Sequence, residues 1–259
     1  VLMFLGLPEA AESEGFDRET LDIPAKQVEL LKAVAAENKN IVVVLSNGSV
    51  VSVAPWAGNA KGILESWLLG QAGGPALADV IFGKVSPSGK LAQTIPMDIN
   101  DDPSMINWPG EEGHVDYGEG VFVGYRYFDT SGKEVSYPFG YGLGYTTFGY
   151  GGLDIARDGD DYRITCTIRN TGARAGREVV QLYVSAPGKD MPKPAKELRA
   201  FARTGLLQPG ADETVTLRVP AASLASFDEA SSSWRTEGGT YTFRVGASSA
   251  DIRLSGTAD

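Results

Sequence analysis

The chain has 259 residues, of which 42% are hydrophobic and 22% charged, and its formal net charge is −10. This composition is typical of a globular protein with enough apolar mass for two domains, and no apolar run approaches the roughly 20 residues that span a bilayer. The negative charge belongs to residues 1–148, which carry 19 acidic and 9 basic side chains, while the rest is balanced. Because an acidic surface repels phosphate groups, we expect no nucleic-acid partner, and the lack of a long apolar run predicts no membrane partner.

Residues 1–97 alternate apolar strands with helices. Strands are predicted over 1–7, 40–47, 62–69 and 91–96, and helices over 23–38 and 73–85. In the first helix, Val28, Leu31 and Val34 recur at helical spacing, and Pro24 lies near its first turn. Strands that alternate with helices indicate a parallel sheet with helices on its faces, which predicts an α/β sandwich domain over residues 1–97.

The first predicted strand begins at the first residue of the chain, because VLMFLGL opens directly on apolar side chains. A run of this kind is typical of a parallel strand buried on both faces. We therefore expect the chain to be a piece of a longer protein, with an α/β domain that is truncated at its N-terminus.

The pattern changes twice after the α/β region. Residues 98–147 are rich in Gly, Pro and aromatic side chains and predict an irregular linking or wrapping segment. Residues 148–259 contain short, mostly alternating segments, at 161–172, 177–187, 196–207, 213–220, 239–249 and 250–256. This spacing predicts an all-β sandwich, and the single cysteine, Cys166, favours a fibronectin type III-like domain over a disulfide-bearing immunoglobulin domain. We expect Cys166 to be a plain core thiol.

An acidic loop, AESEGFDR, follows the first predicted strand and holds Glu12, Glu14 and Asp17. In a parallel α/β sheet, ligands bind at the carboxyl ends of the strands, so these carboxylates lie where chemistry is usually placed. A carboxyl group beside apolar walls can keep its proton and serve as a general acid. The residues alone favour the simpler alternative, a solvated acidic turn with Asp17 as a helix cap.

Several motifs together carry a resemblance to a known family. SEGFDR (13–18), followed by a helix, a strand and GKVSPSGKLAQTIP (83–96), resembles glycoside hydrolase family 3 in its β-glucosidase-like branch. The segments YGEGVFVGYRYFD (117–129) and YPFGYGLGYTTF (137–148) are similar to the part of that family that leads into its fibronectin-like domain. The resemblance runs in collinear order over the whole chain. One departure is Gly144, where the family usually has Ser.

The resemblance implies a function for the acidic loop. Glu14 corresponds to the acid/base of a retaining exo-acting β-glucosidase, with Glu12 as an electrostatic or structural neighbour and with Asp17 and Arg18 holding the loop. The nucleophile would be an Asp of a (β/α)₈ barrel, which needs roughly 250 residues of its own and is not encoded here. The expected partners are therefore a β-linked oligosaccharide or β-glucoside and a barrel domain from the same protein or a companion chain. Neither a metal nor an organic cofactor is implied.

Three alternatives stay open at this point. The enzyme could be a β-xylosidase or another exo-β-glycosidase of the same family. The chain could be a non-catalytic interaction module at a cell surface. It could also be a self-contained hydrolase that pairs Glu14 with a local carboxylate such as Asp102.

Other chemistry-bearing residues have simpler interpretations. We expect the only histidine, His114, to be a loop residue, and the acidic stretch 98–102 to be a solvated turn rather than a calcium loop, because the Gly and terminal Glu of such a loop are missing. The alternating glycines of FGYGLGYT are expected to allow close packing between the two domains. Trp108 and Tyr117 could stack on sugar rings or pack in the protein.

Overall fold

The computed structural model describes residues 1–259 and divides them into two compact units. The first, called here the α/β unit, comprises Val1–Phe82, Thr94–Gly118 and Glu134–Tyr137. The second, the sandwich unit, comprises Gly83–Gln93, Glu119–Lys133 and Pro138–Asp259. None of the helices has both the length and the apolar character that crossing a membrane requires.

A three-stranded parallel sheet lies at the centre of the α/β unit, as predicted. It consists of β1 (Leu2–Gly6), β2 (Val42–Ser46) and β3 (Gly62–Glu65), in the order β1-β2-β3. The helices of this unit are α1 (Ala25–Glu37) and α2 (Gly73–Ile81). Val43, Val44 and Leu45 of the central strand are at most 1% exposed, because both faces of that strand are covered. A sheet of three parallel strands is no barrel, so residues 1–259 contain no (β/α)₈ domain.

The structure corrects several predictions for the first 147 residues. β1 is buried on one face only, since Leu2 and Phe4 are 43% and 66% exposed, and the helix predicted over 73–85 ends at Ile81. The segment 91–96 does not extend the parallel sheet, since only β4 (Ile95–Pro96) forms there and pairs antiparallel with β5 (Val135–Tyr137). Pro96 has no N–H to donate, which limits the strand at that point. The strand predicted over 62–69 ends at Glu65. The predicted irregular segment contains a helix, α3 (Tyr125–Ser131), and 3-10 helices at Ile99–Asp101 and Pro103–Ile106.

The predicted all-β sandwich is confirmed in the sandwich unit. Its strands are β6 (Phe148–Asp158), β7 (Asp161–Asn170), β8 (Val179–Ser185), β9 (Glu197–Arg203), β10 (Asp212–Val219), β11 (Ser226–Asp228), β12 (Ser233–Arg235), β13 (Tyr241–Gly246) and β14 (Ile252–Ala258). They form antiparallel sheets of order β10-β7-β6 and β14-β13-β8-β9, and β11 pairs with β12 in a hairpin.

Strand alternation builds the sandwich core. In β7, Tyr162, Ile164, Cys166 and Ile168 point inward and are at most 3% exposed, and the side chains between them point outward. The Tyr162 ring packs against Phe243 of the other sheet, with ring centroids 4.8 Å apart. Burial raises the pKa of Cys166 to about 11, so the expected core thiol is confirmed and is poorly suited to act as a nucleophile.

The glycine-rich segment FGYGLGYT makes close contacts inside the sandwich unit. The carbonyl of Gly140 accepts a hydrogen bond from Nε2 of the buried Gln181 at 3.0 Å. Gly140 has φ +79°, and a Cβ at this position would lie 2.0 Å from Oε1 of Gln181. At Gly144, a Cβ would lie 2.9 Å from the carbonyl oxygen of Pro87, so the departure from Ser leaves room for this backbone contact.

Candidate active site

The acidic loop leaves β1 at the carboxyl edge of the parallel sheet and is fastened there by Glu12. Its Oε1 accepts hydrogen bonds from the N–H groups of Gly48 and Ser49 at 2.9 and 3.0 Å, and its Oε2 accepts from Gly48 at 2.8 Å. The hydroxyl of Ser49 donates to the same Oε1 at 3.3 Å. These donors belong to the turn that follows β2, so the loop after one strand is bound to the turn after the next.

Arg18 fastens the far end of the loop to the same turn. Its Nη1 donates to Oγ of Ser49 at 2.6 Å and to the carbonyl of Val50 at 2.9 Å. The same nitrogen lies 4.0 Å from Oε1 of Glu12, and the two side chains are 17% and 15% exposed. Burial lowers the pKa of Arg18, and the Glu12 carboxylate partly offsets this effect. Arg18 therefore connects the loop to the turn after β2.

Asp17 has a different position from the one expected. Its side chain is exposed and makes no hydrogen bond or ion pair, so Glu12 rather than Asp17 is the carboxylate that shares the turn with Arg18. The sequence analysis paired Asp17 with Arg18 in holding the loop, whereas the structure gives Arg18 an ion pair with Glu12, six residues earlier in the chain.

Glu14 lies between these two anchors and, like Asp17, is a carboxylate without a partner. Its side chain is exposed and makes no hydrogen bond or ion pair. The next residue, Gly15, has φ +85° with open space around it, a backbone conformation that a side chain would strain. Phe16 is 81% exposed. The loop thus exposes two unpaired carboxyl groups, those of Glu14 and Asp17, and one aromatic ring.

A buried polar layer supports the turn after β2. Asn47 is fully buried, and its Nδ2 donates to the carbonyl of Ser49 at 2.9 Å and lies 3.4 Å from Oε2 of Glu65 at the end of β3. Oε1 of Glu65 accepts from the N–H of Trp67 at 2.9 Å. Trp67 has φ +52°, which is unusual for a bulky residue and marks a constrained turn. Burial raises the pKa of Glu65 although both hydrogen bonds oppose the shift.

The sequence did not single out Ser49, Asn47 or Glu65 as site residues. A signal was present, because the turn that contains Asn47 and Ser49 follows a predicted strand adjacent to the first one. The carboxyl ends of neighbouring parallel strands meet at one edge of a sheet, which would have placed this turn beside the acidic loop.

The other candidate residues are not gathered into a site. His114 is exposed and its side chain makes no hydrogen bond. Asp98 and Asp102 cap the two 3-10 helices, and Asp102 accepts from the N–H and the hydroxyl of Ser104 at 3.0 and 2.6 Å. Trp108 and Tyr117 are 42% and 81% exposed. No group of three or more His, Cys, Asp or Glu side chains is arranged to hold a metal ion.

Comparison with known families supplies the classification. The model of the glycosyl hydrolase family 3 C-terminal domain matches residues 1–145, more than half of the chain. The chain belongs to glycosyl hydrolase family 3. A second model, the fibronectin type III-like domain, matches residues 178–249 of this family 3 chain. Both results agree with the resemblance seen in SEGFDR and in the sandwich strands.

Related family 3 proteins are similar along nearly the whole chain. An exo-α-(1→6)-L-arabinopyranosidase of Bifidobacterium longum is 63% identical over 97% of this chain, and thermostable beta-glucosidase B of Acetivibrio thermocellus is 45% identical over 98%. A family 3 beta-glucosidase of Bifidobacterium adolescentis has 66% sequence identity to this chain, and its crystal structure covers 99% of the chain with a TM-score of 0.95. The match spans 33% and 34% of the first two proteins and 38% of the third. The chain therefore spans about a third of the length of these relatives.

Proposed function

We propose that this chain supplies the general acid/base, Glu14, of a retaining exo-β-glycosidase whose Asp nucleophile belongs to a separate barrel domain. Family 3 membership and the relatives named above support the reaction class. The observation that supports the residue assignment is the contrast between the two glutamates of the loop: Glu12 has both carboxylate oxygens occupied by donors, and Glu14 has none. The family motif, rather than this contrast, separates Glu14 from the likewise unpaired Asp17. A carboxyl group without partners in the chain is available to exchange a proton with a substrate.

The proposed reaction has two steps. A retaining glycosidase places two carboxyl groups roughly 5–5.5 Å apart. In the first step the barrel Asp attacks the anomeric carbon, and Glu14 gives its proton to the departing glycosidic oxygen. In the second step the Glu14 carboxylate takes a proton from water, whose oxygen displaces the Asp and releases the sugar. Glu14 is protonated again at the end, and configuration at the anomeric carbon is retained.

The substrate we favour is a terminal β-D-glucosyl residue. Two of the three relatives described above are named as beta-glucosidases. A second candidate is a terminal α-L-arabinopyranosyl residue, because the arabinopyranosidase of Bifidobacterium longum shares 63% identity with this chain. The test compares kcat/KM for an aryl β-D-glucoside with kcat/KM for an aryl α-L-arabinopyranoside. It uses the protein that carries this chain with its own barrel, and the larger value identifies the substrate.

The proposal is tested by restoring a barrel. In what we call the barrel-containing enzyme, residues 1–259 replace the matching region of the Bifidobacterium adolescentis beta-glucosidase, a graft favoured by 66% identity. We expect no turnover of an aryl β-glucoside by the chain alone and turnover by the barrel-containing enzyme. Activity of the chain alone would favour the self-contained hydrolase. Full activity of the Glu14→Gln barrel-containing enzyme on an unactivated glycoside would favour the interaction module.

A further inference from the structure

We propose that Glu12 is the positioning residue for Glu14, and that its carboxylate sets where the acid/base stands by binding the loop to the Gly48–Ser49 turn. This inference rests on the proposed function of Glu14. Both carboxylate oxygens of Glu12 accept hydrogen bonds from the turn, so its proposed role is to hold Glu14 in position and not to transfer a proton.

The first reason is that no contact of its own holds Glu14 in place. Its side chain is exposed and unpaired, and Gly15 beside it has open space around its Cα. The position of the carboxyl group is therefore set by the backbone, and the side chains that bind this part of the backbone to the turn after β2 are Glu12 and Arg18. Without the Glu12 carboxylate, Arg18 is the remaining side chain that binds the loop to the turn after β2. The loop that carries Glu14 then gains conformational entropy.

The second reason is the form of the attachment. The consecutive N–H groups of Gly48 and Ser49 converge on Oε1, an arrangement of backbone donors that suits an anion. Hydrogen bonds to an ionised acceptor are stronger than neutral ones. The turn itself is rigid because the buried Asn47 donates to the carbonyl of Ser49 at 2.9 Å. Glu12 thus connects the loop that carries Glu14 to the end of a buried strand.

The third reason concerns which reactions would sense a displaced acid. A shift of about 1 Å in a catalytic group can cost on the order of 100-fold in rate. The loss falls on substrates whose leaving group must be protonated, whereas an activated aryl leaving group departs without that help. Removal of the Glu12 carboxylate should therefore lower the rate less than removal of the Glu14 carboxylate does. Both losses should depend on the leaving group in the same way.

The kinetic test uses the barrel-containing enzyme with E12A, E12Q and the matched control E9Q, which removes a charge from an exposed side chain without hydrogen bonds. We expect E12A to lower kcat/KM by roughly 10- to 100-fold on an unactivated disaccharide and by less than about 3-fold on a dinitrophenyl glycoside. E12Q keeps one oxygen for the two N–H groups and should recover part of the loss. E9Q should match the unsubstituted enzyme.

A double-substitution cycle separates positioning from a general effect on folding. Because Glu12 acts through Glu14, E12A should cost little more once E14Q is present. Equal losses on both substrates, or a full additional loss in the E14Q background, would overturn the proposal.

A measurement on the 259-residue chain separates this proposal from the proposed function. Amide hydrogen exchange at Gly48 and Ser49 should be faster in E12A than in the unsubstituted chain and unchanged in E9Q, whatever reaction the protein performs. Unchanged protection in E12A would overturn the attachment of the loop. If protection is lost but E14Q shows no leaving-group dependence, the attachment stands, and both the acid/base assignment and the positioning role fail.

Discussion

The carboxylate of Glu65 accepts a hydrogen bond from the N–H of Trp67 at 2.9 Å and so closes the turn at the end of β3. This turn is constrained, since Trp67 has φ +52°. Glu65 also faces the buried Asn47, whose Oδ1 has no hydrogen-bond partner. Glu65 makes no ion pair that would favour its charged form, and burial disfavours that form.

This environment predicts a pH-dependent difference between the unsubstituted chain and E65Q. Burial, the largest effect, raises the pKa of folded Glu65 above its unfolded value of about 4.3. A raised pKa means that the folded state binds the proton more tightly, so this contribution to stability is present below the unfolded pKa and is lost as pH rises through the folded one. E65Q should therefore have the higher melting temperature at pH 7, with the difference shrinking towards pH 4.

The measurement is thermal unfolding between pH 4 and pH 7, with E37Q as the control because Glu37 is exposed and unpaired on α1. E37Q should follow the unsubstituted chain throughout. A lower melting temperature for E65Q at pH 7 would show that the fold favours the charged carboxylate.

A second prediction concerns packing in the sandwich unit. Replacement of Gly140 by Ala brings Cβ against Oε1 of the buried Gln181 and also strains a backbone with φ +79°. Overpacking and backbone strain together should lower the free energy of unfolding by about 2–4 kcal/mol. Gly89→Ala is the control, because a Cβ there meets nothing within 4 Å. Chemical denaturation that gives G140A and G89A the same midpoint would contradict the close contact.

A third prediction concerns the buried carboxylate of Glu237, which holds the β8–β9 connection. It accepts hydrogen bonds from the N–H groups of Lys189 and Met191 at 3.0 and 3.1 Å and lies 3.9 Å from Nζ of Lys193. Because E237A would take the carboxylate away from the buried ammonium of Lys193 and the acceptor away from two N–H groups, it should cost roughly 3 kcal/mol. The exposed Glu229→Ala, in the same unit, is the comparison. Equal unfolding free energies for the two variants would refute the role of the carboxylate.

Low pH should weaken the attachment of the β8–β9 connection to Glu237. Burial alone would raise the pKa of Glu237, but the two N–H donors and Lys193 together hold it below the usual range for a glutamate. A lowered pKa contributes stability above the unfolded value of about 4.3 that is lost as pH falls through the folded value. Amide exchange at Lys189 and Met191 should therefore become less protected as the pH falls below about 4. Protection that does not change would contradict the lowered pKa.

The sequence predicted elements whose pattern is local and missed those that depend on distant partners. β7 alternates strictly and was predicted over 161–172, and α1 has helical spacing behind Pro24. α3 was missed because its seven residues are too short for a period, and it begins after Gly124 with φ +57°. β6 was missed because its glycines interrupt the alternation, with a register shift between Gly151 and Asp154.

The same distinction applies to the candidate site. The motif SEGFDR pointed to the loop and, through family resemblance, gave the candidate residues Glu14 and Arg18. It did not show which carboxylate binds the turn, because Gly48 lies 36 residues from Glu12 along the chain. Only the register of β1 against β2, with Gly6 opposite Ser46, brings the two turns together.

The most direct test of the account is azide rescue of Glu14→Ala in the barrel-containing enzyme. With an activated aryl β-glycoside, the Asp can be glycosylated without an acid, but no carboxylate remains to deprotonate water, so the covalent intermediate accumulates. Azide needs no deprotonation and can displace the Asp at the anomeric carbon. We expect added azide to accelerate turnover of E14A and to yield a β-glycosyl azide, with no such product from E9Q. A rate of E14A that azide leaves unchanged, with free sugar as the sole product, would contradict the assignment of Glu14 as acid/base.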